Sequence, residues 1–390
     1  MANIHDYLAW RGDVPFSVSP FNEVDALVLS ELAYADFHGV VAESGERVTI
    51  EEANRRFWSL HTKEEIMAQD SYVKTAPFLM EAMADKARFG GAILSDYYDV
   101  IDTAADIQLA AITFYLPDET AFVAFRGTDD TVVGWKEDFN LSYMPETEGQ
   151  RRAARYIDRH FESQSVPIRV GGHSKGGNLA VYAAVCAAPA VRQRIMAVYS
   201  NDGPGFLEPF TQSEKYLEMR PRIISVVPEQ SIIGALLNTE SYRHIVKSSA
   251  QGIIQHDGFS WQVLGPRFVE ADKRSDSSIF VETTLHQWLS AQSEENRRVF
   301  VNTLFGLLES TGRETLSQIK SDLPASVASM WKMLESISKE QRETTWSMIA
   351  QLFTTSSDTL LQELRKAILA RLGTVALPKI GGSPEPNGNT

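Results

Sequence analysis

The sequence predicts an α/β fold: a mostly parallel central sheet with flanking helices, followed by an α-helical C-terminal segment. Three observations carry this. Apolar extended runs alternate with helical patterns as far as residue 247, the order that builds a sheet covered by helices. A glycine-rich turn at residues 171–177 joins an extended run to a helical one. From Ser293 to Leu372 the extended runs cease and apolar residues recur at helical spacing.

Taken in chain order, residues 20–37 carry Val24, Leu27, Val28 and Leu32 at helical spacing with acids between them, an amphipathic helix entering the core. Ala110–Leu116 and Thr120–Phe125 flank Pro117-Asp118-Glu119 and read as a hairpin. Residues 149–162 read as a helix leading into the extended run Pro167-Ile168-Arg169-Val170. After the turn, Asn178 to Val185 is helical, and further strands are expected at Met196–Ser200, Arg222–Val227 and Ile245–Lys247. In the C-terminal segment Phe300, Leu304 and Leu308 form one stripe, and Trp346, Ile349 and Phe353 another. Ser338 with Gln341 fits a capping box. The expected division is 1–285 for the α/β part, 286–372 for a helical lid or accessory segment, and 373–390 for a disordered tail.

Composition narrows the class. A chain of 390 residues with 43% hydrophobic residues can bury a sizeable core. Its net charge of −14 repels phosphate backbones and anionic headgroups, which disfavours nucleic acid as a partner. Cys186 is the sole cysteine, so an intramolecular disulfide and a cysteine-based zinc site are excluded. Met1–Val14 contains acids and no continuous apolar run, unlike a signal peptide. No stretch approaches the roughly twenty apolar residues that span a bilayer. A cytoplasmic protein without an integral membrane segment is the expectation. No cofactor is called for, and no histidine–carboxylate cluster has metal-ligand spacing.

Gly172-His173-Ser174-Lys175-Gly176 is a G-x-S-x-G segment between strand and helix, the context of a nucleophile elbow. Gly172 and Gly176 suit a turn so sharp that a Cβ would clash. A serine hydroxyl needs a histidine base, an acid to orient it, and donors for the oxyanion. In the α/β-hydrolase arrangement, acid and histidine follow the serine in that order. His256, in the polar loop Gln255-His256-Asp257-Gly258, is the favoured base. His286 ranks behind it, His244 reads as structural, and His173 is expected to point elsewhere. Two acids compete. Glu229 ends the strand Arg222–Val227 and is slightly preferred; Asp202 in Ser200-Asn201-Asp202-Gly203 also reads as a turn residue. For the oxyanion, the N–H of Lys175 is one expected donor and Thr128, after Phe125-Arg126-Gly127, the second. Arg126 is expected to pair with a carboxylate such as Asp138.

Ser174-Lys175 reverses the Lys–Ser/Thr order of a phosphate-binding P-loop. Ser317-Gln318-Ile319-Lys320 has the S-x-x-K spacing but lies on a helical pattern, as a solvated face.

Ala124-Phe125-Arg126-Gly127-Thr128, with Trp135 and Asp138, and then Gly172-His173-Ser174-Lys175-Gly176-Gly177, together resemble the class 3 lipase pattern. Phe21-Asn22-Glu23-Val24-Asp25 and Val227-Pro228-Glu229-Gln230-Ser231-Ile232-Ile233-Gly234 look more like its bacterial Mbeg1-like relatives. The resemblance spans roughly residues 20–265. It implies an α/β-hydrolase-like serine ester hydrolase with Thr128 as its oxyanion residue, acting on a small-molecule ester or lipid-like substrate. Two departures stand out: Lys175 where leucine is common, and Glu229 or Gln230 where an aspartate is found. The alternative is a weak or inactive hydrolase fold that binds a partner through its C-terminal helices.

Overall fold

Eight strands lie side by side in the order of the chain: β1 (Arg47–Thr49), β2 (Ile93–Asp102), β3 (Ile107–Tyr115), β4 (Ala121–Phe125), β5 (Ile168–His173), β6 (Ile195–Asn201), β7 (Ile223–Pro228) and β8 (Tyr242–Val246). The computed structural model describes residues 1–69, 71, 73–237 and 242–336. The Ser338–Gln341 capping box, the Trp346 stripe and the tail 373–390 lie outside the described residues. Strands β1 to β4 pair antiparallel, and β4 to β8 pair parallel. The hairpin expected around Pro117 is β3–β4, in register from Ala111 opposite Phe125 to Tyr115 opposite Ala121. β4 and β5 are buried along their whole length, which is why they read as continuous apolar runs and not as alternations.

Two cores sandwich the sheet. On one face the helix Glu23–Leu32 packs with Phe37, Phe57 and Leu79 against Leu94, Phe114 and Phe122. On the other, the helices Glu148–Phe161 and Lys175–Cys186 cover Leu109, Val123 and Val170. Small residues on the second of these helices, Ala180, Ala183 and Ala184, are fully buried and let it lie close to the sheet. The helix Glu23–Leu32 starts at an Asn22 cap whose capping box uses Asp25. Asp25 also forms a fully buried ion pair with Arg88, at 2.5 and 2.7 Å, and accepts the Tyr7 hydroxyl at 2.7 Å.

The C-terminal helices Asp276–Ala291, Glu294–Glu309, Leu316–Ser321 and Leu323–Ser336 form no strand among the described residues. Phe300 and Phe305 build a third core with Val132 and Tyr143 from the α/β part, and Leu304 and Leu308 flank it. The Phe139 and Phe305 rings meet edge-on at 5.3 Å. Backbone bonds join the same parts: Val132 N–H donates to Glu314 O at 2.8 Å and Leu316 N–H to Asp130 O at 3.0 Å. Ser317 N–H donates to the Asp130 carboxylate at 2.9 Å. The helical segment therefore grips the loop that follows β4.

Candidate active site

Ser174 follows β5 and caps the next helix with φ 57° and ψ −133°. A non-glycine residue held there stores about 1–3 kcal/mol of strain, which the surrounding structure must enforce. Two bonds do so: Ser174 N–H to Asn201 O and Gly177 N–H to Ser174 O, each 2.9 Å. The turn needs glycine because the chains touch: a Cβ on Gly176 would lie 2.1 Å from Phe125 O, and one on Gly172 2.2 Å from Gly176 C. His173 and Lys175 are buried, whereas Ser174 keeps partial exposure.

Asp202, just beyond β6, is fully buried with φ 50°. Its Oδ2 lies 2.6 Å from His256 Nδ1. Its Oδ1 accepts the Ser231 hydroxyl at 2.5 Å and Gly234 N–H at 3.1 Å. With the carboxylate accepting on both oxygens, the imidazole proton sits on Nδ1 and Nε2 keeps its lone pair. His256 ends a short 3-10 turn, Gly252–His256, and its side chain is 25% exposed. Of the two competing acids it is Asp202, not the slightly preferred Glu229, whose carboxylate is seen against His256. Glu229 is engaged through its backbone, N–H to Val246 O at 3.0 Å and O from Ser275 N–H at 2.7 Å. Gln230 accepts Gly252 N–H at 2.5 Å. The histidine loop meets the end of β6, where Asp202 lies.

His173 is a second correction. Its ring lies against His256, centroids 4.6 Å apart, and its Nε2 is 2.7 Å from His256 O. A carbonyl only accepts, so Nε2 carries the hydrogen and Nδ1 accepts the Tyr34 hydroxyl at 3.2 Å. Burial, with the neighbouring His256 acting in the same direction, pushes the His173 pKa down to about 3. Beside it, Glu31 is buried with Oε1 unpartnered, and burial holds its carboxyl well above the usual range. Nothing in sequence spacing marks Glu31 or Tyr34, which reach the site only through the packing of one helix on β5. His244 lies in β8, 3.0 Å from Glu23 Oε2, and His286 on the helix Asp276–Ala291.

The loop after β4 closes the site from the other side. A Cβ on Gly127 would stand 2.5 Å from His173 O and 3.0 Å from Ser174 Cβ, so this loop packs directly on the Ser174 turn. Arg126 is buried and bonds both oxygens of Asp99, at 3.0 and 3.1 Å, instead of the expected Asp138. Asp138 accepts the Thr128 hydroxyl at 2.5 Å, with its other oxygen shielded and unpartnered. Burial pushes the Asp138 pKa up to about 6. With its hydroxyl turned to Asp138, Thr128 has its N–H as the donor to offer. Lys175 sends its ammonium inward, to Gln108 O and Oε1 at 2.8 Å and to Glu137 Oε2 at 2.9 Å. Among the described residues no group of three or more His, Cys, Asp or Glu is placed to hold a metal ion.

A strained serine between strand and helix, an acid after the next strand and a histidine after the last define an α/β-hydrolase-like protein. A family model described as Mbeg1-like matches residues 83–306, more than half of the chain, and the protein belongs to that family. Solved structures similar to the chain include the native Rhizomucor miehei lipase propeptide complex, 14% identical, covering 62% of this chain and 94% of that one, TM-score 0.35. A fungal lipase–inhibitor complex is 17% identical over 49% of this chain and 82% of its own, TM-score 0.33. M37 lipase is 13% identical over 54% and 69%, TM-score 0.33. No curated protein matches the chain.

Proposed function

We propose that the protein is a serine hydrolase that cleaves a carboxylic ester through an acyl-enzyme. The observation that carries this is the 2.6 Å contact of buried Asp202 with His256, beside a serine held at positive φ. In this reading His256 Nε2 takes the Ser174 hydroxyl proton as the oxygen attacks the ester carbonyl. The N–H groups of Lys175 and Thr128 receive the developing oxyanion. The tetrahedral intermediate collapses as His256 hands the proton to the leaving alkoxide. Water, activated by the same histidine, then releases the acid. His256 Nδ1–H and Asp202 keep the imidazole in the required tautomer throughout.

Ile253 and Ile254, 50% and 67% exposed in the turn that ends at His256, give the rim an apolar edge suited to an acyl chain. We place the protein in the cytoplasm with residues 286–372 as an accessory segment. The binding-module alternative rests mainly on a doubtful acid, and the Asp202–His256 contact favours the catalytic reading over it. The Phe300 stripe that it would use is spent internally, on Val132, Phe139 and Tyr143, while the Trp346 stripe lies outside the described residues.

A series of p-nitrophenyl esters from acetate to laurate tests the substrate class. The expected result is turnover that rises with chain length to a maximum. Absence of nitrophenol release above the buffer rate for every ester would remove the ester-hydrolase reading.

A further inference from the structure

We propose that the buried Lys175–Glu137 ion pair is a positioning strut, setting the separation between the two oxyanion donors; this rests on the serine-hydrolase reading above. Lys175 and Glu137 are each 1% exposed as side chains. Removing two charges from water is costly, and a buried pair is often no more stabilising than apolar residues of the same volume. Stability alone therefore gives little reason for a lysine at a position where the lipase pattern has leucine.

Connectivity gives a reason. The three hydrogens of the Lys175 ammonium have three acceptors, Gln108 O, Gln108 Oε1 and Glu137 Oε2. Glu137 is held in turn: Oε2 accepts Gln108 N–H at 3.0 Å and Oε1 accepts the Thr147 hydroxyl at 3.1 Å. Its seat leaves no room for a side chain at Gly149, where a Cβ would stand 2.0 Å from Oε1. From this knot two routes lead to Thr128. Glu137 precedes Asp138 on the helix Val132–Asn140, and Asp138 holds the Thr128 hydroxyl. Gln108 Nε2 reaches the carbonyl of Gly127, the residue before Thr128, at 3.5 Å. One residue thus offers the first donor from its backbone and braces the second through its side chain. A displacement of an oxyanion donor acts on the transition state more than on substrate binding.

The test compares wild type with the double variant Lys175→Met/Glu137→Gln, which removes both charges at nearly constant volume. Glutamine keeps an oxygen for Gln108 N–H. Folding is checked by thermal unfolding and circular dichroism; the rate is read as nitrophenyl-ester kcat and KM and as fluorophosphonate labelling. The expected result is a folded double variant with kcat and labelling rate reduced about ten- to hundred-fold and KM within about three-fold. Glu137→Gln alone, which leaves the lysine its two Gln108 acceptors, should fold and lose about three- to ten-fold in kcat. If the double variant does not fold, this single variant decides. A folded variant that reacts at the wild-type rate overturns the strut while leaving the hydrolase reading intact. A folded wild type that neither turns over ester nor takes the probe overturns both.

Discussion

At the residue scale the site is built from groups whose ordinary chemistry is reset by burial. Asp202 has no exposed surface, and its oxygens are saturated by Ser231, Gly234 and His256. Asp202→Asn would keep the shape but present an amide to Nδ1, favouring the wrong tautomer. A loss of about 10²–10⁴ in kcat is expected, whereas Glu229→Gln should stay within about two-fold of wild type. Ester kinetics on the two variants check this, and equal losses would contradict the assignment of the acid. His173 supplies a pH prediction. Its folded pKa, about 3, lies below the ordinary 6.5, so below pH 6.5 the unfolded chain binds a proton that the folded one refuses. This group's stability is therefore complete above pH 6.5 and is lost as pH falls toward 3. In denaturant titrations His173→Gln should flatten the rise of stability between pH 4 and 6.5 by up to about 1.4 kcal/mol per pH unit. Asp138 has the opposite sign: its raised pKa costs stability as pH climbs from about 4 to about 6. Comparing variant with wild type isolates the histidine; parallel curves would show that His173 titrates normally.

At the element scale, legibility follows from how local each signal is. The serine turn was readable because its glycines answer to contacts of their own neighbourhood, Gly172 against Gly176 above all. The choice between Asp202 and Glu229 was not, since both end parallel strands and only the placement of the His256 loop separates them. β2 escaped detection because a register break between Ser95 and Tyr98, with Asp96 at φ 57°, destroys its alternation. Arg126 found Asp99 on that same unforeseen strand. The loop after β4 is also an element-scale matter, because the C-terminal helical segment holds it from outside. Phe305 is 2% exposed at this junction, and Phe305→Ala should cost about 3–5 kcal/mol by cavity formation. Denaturant unfolding measures that loss, and an unchanged midpoint would mean that the helix is not seated on Phe139.

For the whole molecule, the order of strands along the sheet brings three loops together at one end, after β4, β5 and β6, with the His256 loop arriving from beyond β8. The α/β class, the hairpin and the helical C-terminal segment were legible because each depends on periodicity within a segment. The seating of that segment on the loop after β4 was not, because it rests on contacts such as Leu316 N–H to Asp130 O across more than 180 residues of chain. Convergence on Ser174 is the central claim, and covalent labelling by a fluorophosphonate probe measures it most directly. Rapid labelling of wild type, its abolition in Ser174→Ala and its collapse in His256→Ala and Asp202→Asn are the expected results. A folded wild-type protein that stays unlabelled for hours, or a Ser174→Ala variant that labels equally well, would contradict the account.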